Sequence, residues 1–269
     1  MCFAYQALPP ELPSSVLGAL RMSGVTPGVA STEQIVLTSQ DGTQFAAYRV
    51  RPTSPSGAAI VVMPDVRGLF RFYQELAERF ATAGIDALTI DYFGRTAGVS
   101  VRDAQFEYMP HLMQTKPEQV AQDVAAAVAA LRGDPAGAPK AIFTVGFCFG
   151  GQQSLNQAAN GHGLSGVISF YGPPVTNRMG GPAPIDRIKD FTCPVLAFYG
   201  GADQGIPATD VATFDAALAQ AGVEHEVVTY PGAPHSFFDR SFDTYKDESA
   251  DAWKRSLAFI TKHTPKTTV

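Results

Sequence analysis

Short, largely apolar runs recur along the chain, and their spacing most limits how it can fold. Residues 58–63 read AAIVVM, 85–90 IDALTI, 141–145 AIFTV, 166–172 GVISFYG and 194–201 PVLAFYGG. A strand with one wet face alternates polar and apolar residues. The run 58–63, apolar at every position, suits a strand covered on both faces, as in a parallel sheet flanked by helices.

The stretches between these runs have a helical period. In 72–84, Leu76, Phe80 and Ala83 recur at helical spacing before Gly84. Residues 115–132 predict a helix with Thr115 and Glu118 as a capping box and Val120, Val124, Val128 and Leu131 on one face. Residues 151–160, 207–222 (Val211, Phe214 and Leu218 inward) and 247–263 predict three more helices, and 224–230 a last strand. Ahead of the alternation, 33–39 and 43–50 flank Asp41-Gly42, a strong hairpin signal. The expectation is a single-domain α/β fold. Its central sheet is mostly parallel, with an antiparallel N-terminal hairpin and helices on both faces. Residues 1–31, broken by Pro and Gly, read as an extended N-terminal arm, and 32–265 as the domain. Residues 92–114 have no clean period and read as a functional loop or a plain surface excursion.

Composition removes several function classes. A formal charge of −5 gives no electrostatic reason to bind nucleic acid or an anionic membrane. No apolar run is long enough to span a bilayer, and the first residues lack the basic and apolar regions of a signal peptide. Cys2, Cys148 and Cys193 are odd in number and include no C-x-x-C pair, so neither a disulfide framework nor a metal site is expected. Free thiols suit a cytoplasmic location.

One cysteine stands out. Gly146-Phe147-Cys148-Phe149-Gly150 closes the run at 141–145 and opens a helix, the form of a nucleophile elbow with sulfur in place of the usual serine oxygen. A helix N-terminus behind the sulfur favours thiolate over thiol. Such a nucleophile needs a base and an orienting acid, in the chain order nucleophile, acid, base. Asp203 follows the run 194–201, and His235 follows the strand 224–230, so both fall at strand tips in that order. His225, His162 and His263 fit worse by position, and His111 lies in the irregular segment. Backbone N–H groups of Phe149, after the nucleophile, and of Val66, in the loop after 58–63, are the expected oxyanion hole. A nucleotide site is not expected, since that loop reads MPDVRGL and carries no Gly-rich signature.

With MPDVRGL, IDYFGRTAG, GFCFGG, GGADQGIP and PHSFFD in that order, the sequence from about residue 33 resembles the dienelactone hydrolase family of α/β-hydrolases. The resemblance implies Cys148 as nucleophile, His235 as base and Asp203 as the acid that orients it. The reaction it implies is hydrolysis of a small ester or lactone without a cofactor. It also implies that Asp65 replaces a glutamate that contacts the resting cysteine, and that Arg95 is one of two arginines holding a substrate carboxylate. The second falls at Asp239, with Arg240 one residue further. Two rivals remain: a general small-ester carboxylesterase with the same triad, and a non-catalytic ligand-binding member of the fold.

Overall fold

The computed structural model describes residues 6–22, 24–177, 180–238 and 243–266. In chain order the elements are α1 (Ser14–Met22), β1 (Val29–Thr38), β2 (Gln44–Pro52), β3 (Ala58–Met63), α2 (Arg71–Thr82), β4 (Asp86–Ile90), the short α3 (Gly94–Ala97) and α4 (Tyr108–Leu112). There follow α5 (Pro117–Arg132), β5 (Ala141–Phe147), α6 (Phe149–Gln157), β6 (Gly166–Phe170), β7 (Val195–Gly200), α7 (Ala208–Gln220), β8 (His225–Tyr230) and α8 (Lys246–Lys262).

The eight strands form one sheet in the order β1-β2-β4-β3-β5-β6-β7-β8. β2 runs antiparallel to both β1 and β4, and every other neighbouring pair is parallel. The runs that lack alternation are the strands of the interior. All residues of β3, β5, β6 and β7 are buried, whereas β8, at the edge, is mostly half-exposed. Right-handed crossovers place helices on opposite faces according to the direction in which the chain steps along the sheet. From β3 it steps one way to β4 through α2, then back across β3 to β5 through α5, and on to β8. Helix α8 joins α2, with Trp253 edge-on to Phe80 at 4.9 Å.

That reversal of direction lies between β3 and β5. A doubly wound sheet opens a crevice at such a point, beyond the carboxyl ends of the strands. The register brings Met63 beside Gly146, so the loop after β3 and the turn after β5 leave the sheet together.

Three local expectations change. The segment 1–31 is not simply extended where it is described: 14–22 form α1, and Ala7 and Leu12 are buried. The Trp253 indole N–H donates to the Pro10 carbonyl at 3.2 Å, which ties this segment to α8. Helix α5 starts at Pro117 rather than at 115, because proline suits the first helical position. Its Gln119 side chain accepts the Lys116 N–H, and the Thr115 hydroxyl donates back to the His111 carbonyl instead of capping.

Candidate active site

The turn after β5 is built by close approach. A Cβ on Gly146 would lie 1.9 Å from the Gly150 carbonyl oxygen, and one on Gly150 would lie 2.2 Å from the carbonyl oxygens of both Met63 and Pro64. Only glycine lets strand, turn and helix meet each other and the end of β3. Between them Cys148 takes φ 55° and ψ −113°, a conformation rarely open to a side-chain-bearing residue. It is held there because its N–H donates to the Phe170 carbonyl and its carbonyl accepts the Gln152 N–H, both at 3.0 Å. The described non-glycine residues with positive φ are Cys148, Tyr171 and Ser236. Ser236 directly follows His235, and the Tyr171 ring lies 4.8 Å from the His235 ring, so backbone strain gathers around one spot.

β7 and β8 end side by side, with Gly200 beside Tyr230, and their loops bring Asp203 to His235. Nδ1 of His235 lies 2.6 Å from Oδ2 of Asp203, and the carboxylate is nearly fully buried. Its other oxygen, Oδ1, accepts the Gly205 N–H at 2.8 Å. Burial pushes the Asp203 carboxyl up, but the His235 contact and the N–H groups of Gly205 and Ile206 outweigh it and hold the carboxyl below its ordinary range. For His235, burial works against the imidazolium. Hydrogen bonds to Asp203 and to Cys148 overcome this and raise it from 6.5 to about 9. Cys148, His235 and Asp203 thus form one hydrogen-bonded chain across three strand tips.

The loop after β3 is pinned at both ends. The Tyr92 hydroxyl donates to the Pro64 carbonyl at 2.9 Å, the Asp65 N–H to the Tyr73 hydroxyl at 2.9 Å, and the Leu69 N–H to Asp91 Oδ1 at 3.0 Å. Asp91, fully buried, is in turn gripped by Arg102, which fastens the irregular stretch 98–107 to the same point. Between the pinned ends the Val66 N–H has no partner among the described residues, and neither does the Phe149 N–H at the start of α6.

The remaining expected residues are placed as follows. The Asp65 carboxylate is buried and held by Arg67, through its backbone N–H at 2.9 Å and its Nη2 at 2.7 Å. Arg95 directs its guanidinium into the protein, to Asp123 at 2.8 and 2.9 Å, Asp41 at 2.8 Å and the Ser39 hydroxyl at 3.1 Å. Four of its five N–H donors are thereby used, so the structure gives it the part of a tie between the hairpin turn, α3 and α5 rather than that of an anion clamp. Asp239 and Arg240 lie outside the described residues. His111 stacks on Phe106 at 5.1 Å. Among the described residues no group of three or more His, Cys, Asp or Glu could hold a metal ion, and no helix is long and apolar enough to cross a membrane. The sequence reading missed Asp91, Tyr92 and Tyr73. The place of Asp91-Tyr92 directly after a predicted strand was legible, but that β4 lies beside β3 and so brings them to its loop was not.

An eight-stranded, mostly parallel sheet with an antiparallel start, and a strained strand-to-helix turn at its switch point, define an α/β-hydrolase. Within that class the chain belongs to the dienelactone hydrolase family, whose sequence model matches residues 45–264. A Methylorubrum extorquens protein provisionally named carboxymethylenebutenolidase is 30% identical over 227 residues, which cover 82% of this chain and 78% of the relative. A Bradyrhizobium protein, provisionally named a 2-oxo-3-(5-oxofuran-2-ylidene)propanoate lactonase, is 29% identical over 245 residues, covering 87% and 97%. The crystal structure of a provisionally named dienelactone hydrolase from Klebsiella pneumoniae superposes with a TM-score of 0.75 at 28% identity, covering 86% of this chain and 98% of that one. The chain is therefore a hydrolase of the dienelactone hydrolase type.

Proposed function

We propose that this hydrolase opens an ester or lactone bond through a Cys148-His235-Asp203 triad and a thioester acyl-enzyme. The observation that carries the reading is the hydrogen-bonded chain from Cys148 through His235 to Asp203. The imidazolium and the N-terminus of α6 favour the Cys148 thiolate. The thiolate adds to the carbonyl carbon, and the oxygen, now negative, accepts hydrogen bonds from the N–H groups of Val66 and Phe149. His235 gives its proton to the leaving alkoxide as the tetrahedral adduct collapses to the thioester. Now neutral, it takes a proton from water, whose oxygen attacks the thioester and releases the acid. The nearby Asp65 charge would oppose the oxyanion, and its pairing with Arg67 reduces that opposition. Cys148 and Cys193 as free thiols suit the reducing cytoplasm.

The names of the relatives favour an unsaturated acidic lactone as substrate. The engagement of Arg95 with Asp123, Asp41 and Ser39 favours a second reading, a small-ester carboxylesterase that does not require a substrate carboxylate. One experiment tests both. A carboxylated dienelactone and a neutral aryl ester are each given to wild type and to Cys148→Ala, with acid-quenched samples weighed for a thioester. Loss of turnover and of the adduct in Cys148→Ala is expected, and equal turnover by the two proteins overturns the triad. The ratio of the two substrates' kcat/KM then chooses between lactone and ester.

A further inference from the structure

The reaction proposed above leaves one buried polar group unused. Tyr92, at the tip of β4, is almost fully buried. A phenylalanine would fill that space without the cost of burying a hydroxyl, so the oxygen needs a reason in its contacts. It makes one at 2.9 Å, donating to the carbonyl of Pro64. Pro64 has no N–H and ends the β3 ladder, which leaves its carbonyl free to be held from the side. That same carbonyl faces the elbow, since it is one of the two oxygens a Cβ on Gly150 would strike at 2.2 Å.

The ring makes a second contact, lying edge-on to Phe149 at 5.2 Å and 90°. Tyr92 therefore touches both arms of the expected oxyanion hole. Its oxygen fixes the loop that presents the Val66 N–H, and its ring fixes the residue that presents the other. The neighbouring Asp91 holds the far end of the loop at Leu69. We propose that Tyr92 is a positioning residue that sets the distance between the Val66 and Phe149 N–H groups, and so the fit of the site to a tetrahedral oxyanion. Its hydroxyl stays protonated for this work. Burial first, and then the negative charges of Asp65, Asp91, Asp123 and Cys148, hold it well above the usual phenol range.

The inference rests on the Cys148 reading, and the test separates the two. Tyr92→Phe removes one oxygen and keeps the ring. Two reactions of Cys148 are timed in wild type and variant: the acylation burst with an activated aryl ester, and alkylation by iodoacetamide. Alkylation displaces iodide at a saturated carbon and builds no oxyanion, so it reports the thiolate and His235 alone. Acylation is expected to slow roughly three- to thirtyfold in Tyr92→Phe while alkylation changes by less than about twofold. Phe149→Leu, which keeps bulk but removes the aromatic edge, should show the same split and serves if the first variant does not fold. Unchanged acylation, or both reactions slowing in proportion, overturns the role assigned to Tyr92. A wild type that is alkylated at Cys148 but never forms a thioester overturns the reading beneath it instead.

Discussion

Replacing Asp203 by asparagine should do more than remove a charge, and the structure shows why. Oδ1 of Asp203 accepts the Gly205 N–H at 2.8 Å, and Oδ2 faces Nδ1 of His235 at 2.6 Å. An asparagine in that place keeps its oxygen toward Gly205, so its NH₂ group turns toward His235. A donor facing Nδ1 selects the tautomer with the proton on Nε2, leaving no lone pair to accept a proton on the ring's other nitrogen. The rise of His235 from 6.5 to about 9 corresponds to roughly 3 kcal/mol in favour of the imidazolium, supplied by Asp203 and Cys148 against burial. With Asp203 neutral, only Cys148 is left to oppose burial, and His235 should titrate well below about 9. The side-chain resonances of His235 followed by NMR against pH measure this directly, and kcat/KM should fall roughly 10²- to 10⁴-fold. The stability arm has a definite sign. A histidine whose pKa is raised by folding lends stability that is complete below about 6.5 and fades as pH rises through about 9. The advantage of wild type over Asp203→Asn in urea unfolding should shrink across that window. A His235 pKa in the variant still near 9 would refute the reasoning.

Three further outcomes are expected. In Gly150→Ala the new Cβ stands 2.2 Å from two carbonyl oxygens, so unfolding in urea should show a loss of roughly 3 kcal/mol or more, and a loss under about 1 would mean the elbow is looser than described. Arg95→Ala leaves the buried Asp123 carboxylate with the Ser39 hydroxyl and no cation, a loss of roughly 3–5 kcal/mol by chemical denaturation, smaller at acid pH because burial already raises that carboxyl. Its KM for anionic and neutral esters should move together, and a rise for the anionic substrate alone would restore Arg95 as a clamp. Iodoacetamide near neutral pH should modify Cys148 and spare Cys193, whose thiol burial pushes up to about 12, as peptide mass mapping before and after denaturation would show.

The residues proposed for the triad were legible because each sits at the end of a strand whose apolar run announces it. Cys148, Asp203 and His235 follow β5, β7 and β8 within a few residues, and strand tips in a parallel sheet converge whatever the loops between them do. Arg95 was misleading for a complementary reason. Its partners Asp41 and Asp123 lie 54 and 28 residues away, on a hairpin turn and in the middle of a helix, and nothing local marks them as acids that would claim a guanidinium. Helix α1 was missed because Pro9, Pro10, Pro13, Gly18 and Gly24 crowd it, although Val16, Leu17 and Leu20 carry a helical spacing. The supports of the loop after β3 were hidden in plain polar residues. Asp91 and Tyr92 gain meaning only when β4 is seen beside β3, an adjacency set by sheet order.

The bond from Trp253 to Pro10 joins residues 243 positions apart, and Ala7 and Leu12 are buried in the same early segment. On a ribosome that segment emerges long before α8 exists, so its apolar groups must wait for nearly the whole domain to be made. Closing a loop of that length costs chain entropy that only an already folded body can lower. The early segment should therefore be among the last parts to lock. Until then α8 would lack the partner it has in Pro10 and α2 the partner that Arg79 has in Glu11, and the surface the segment covers would stay open to solvent or to a chaperone.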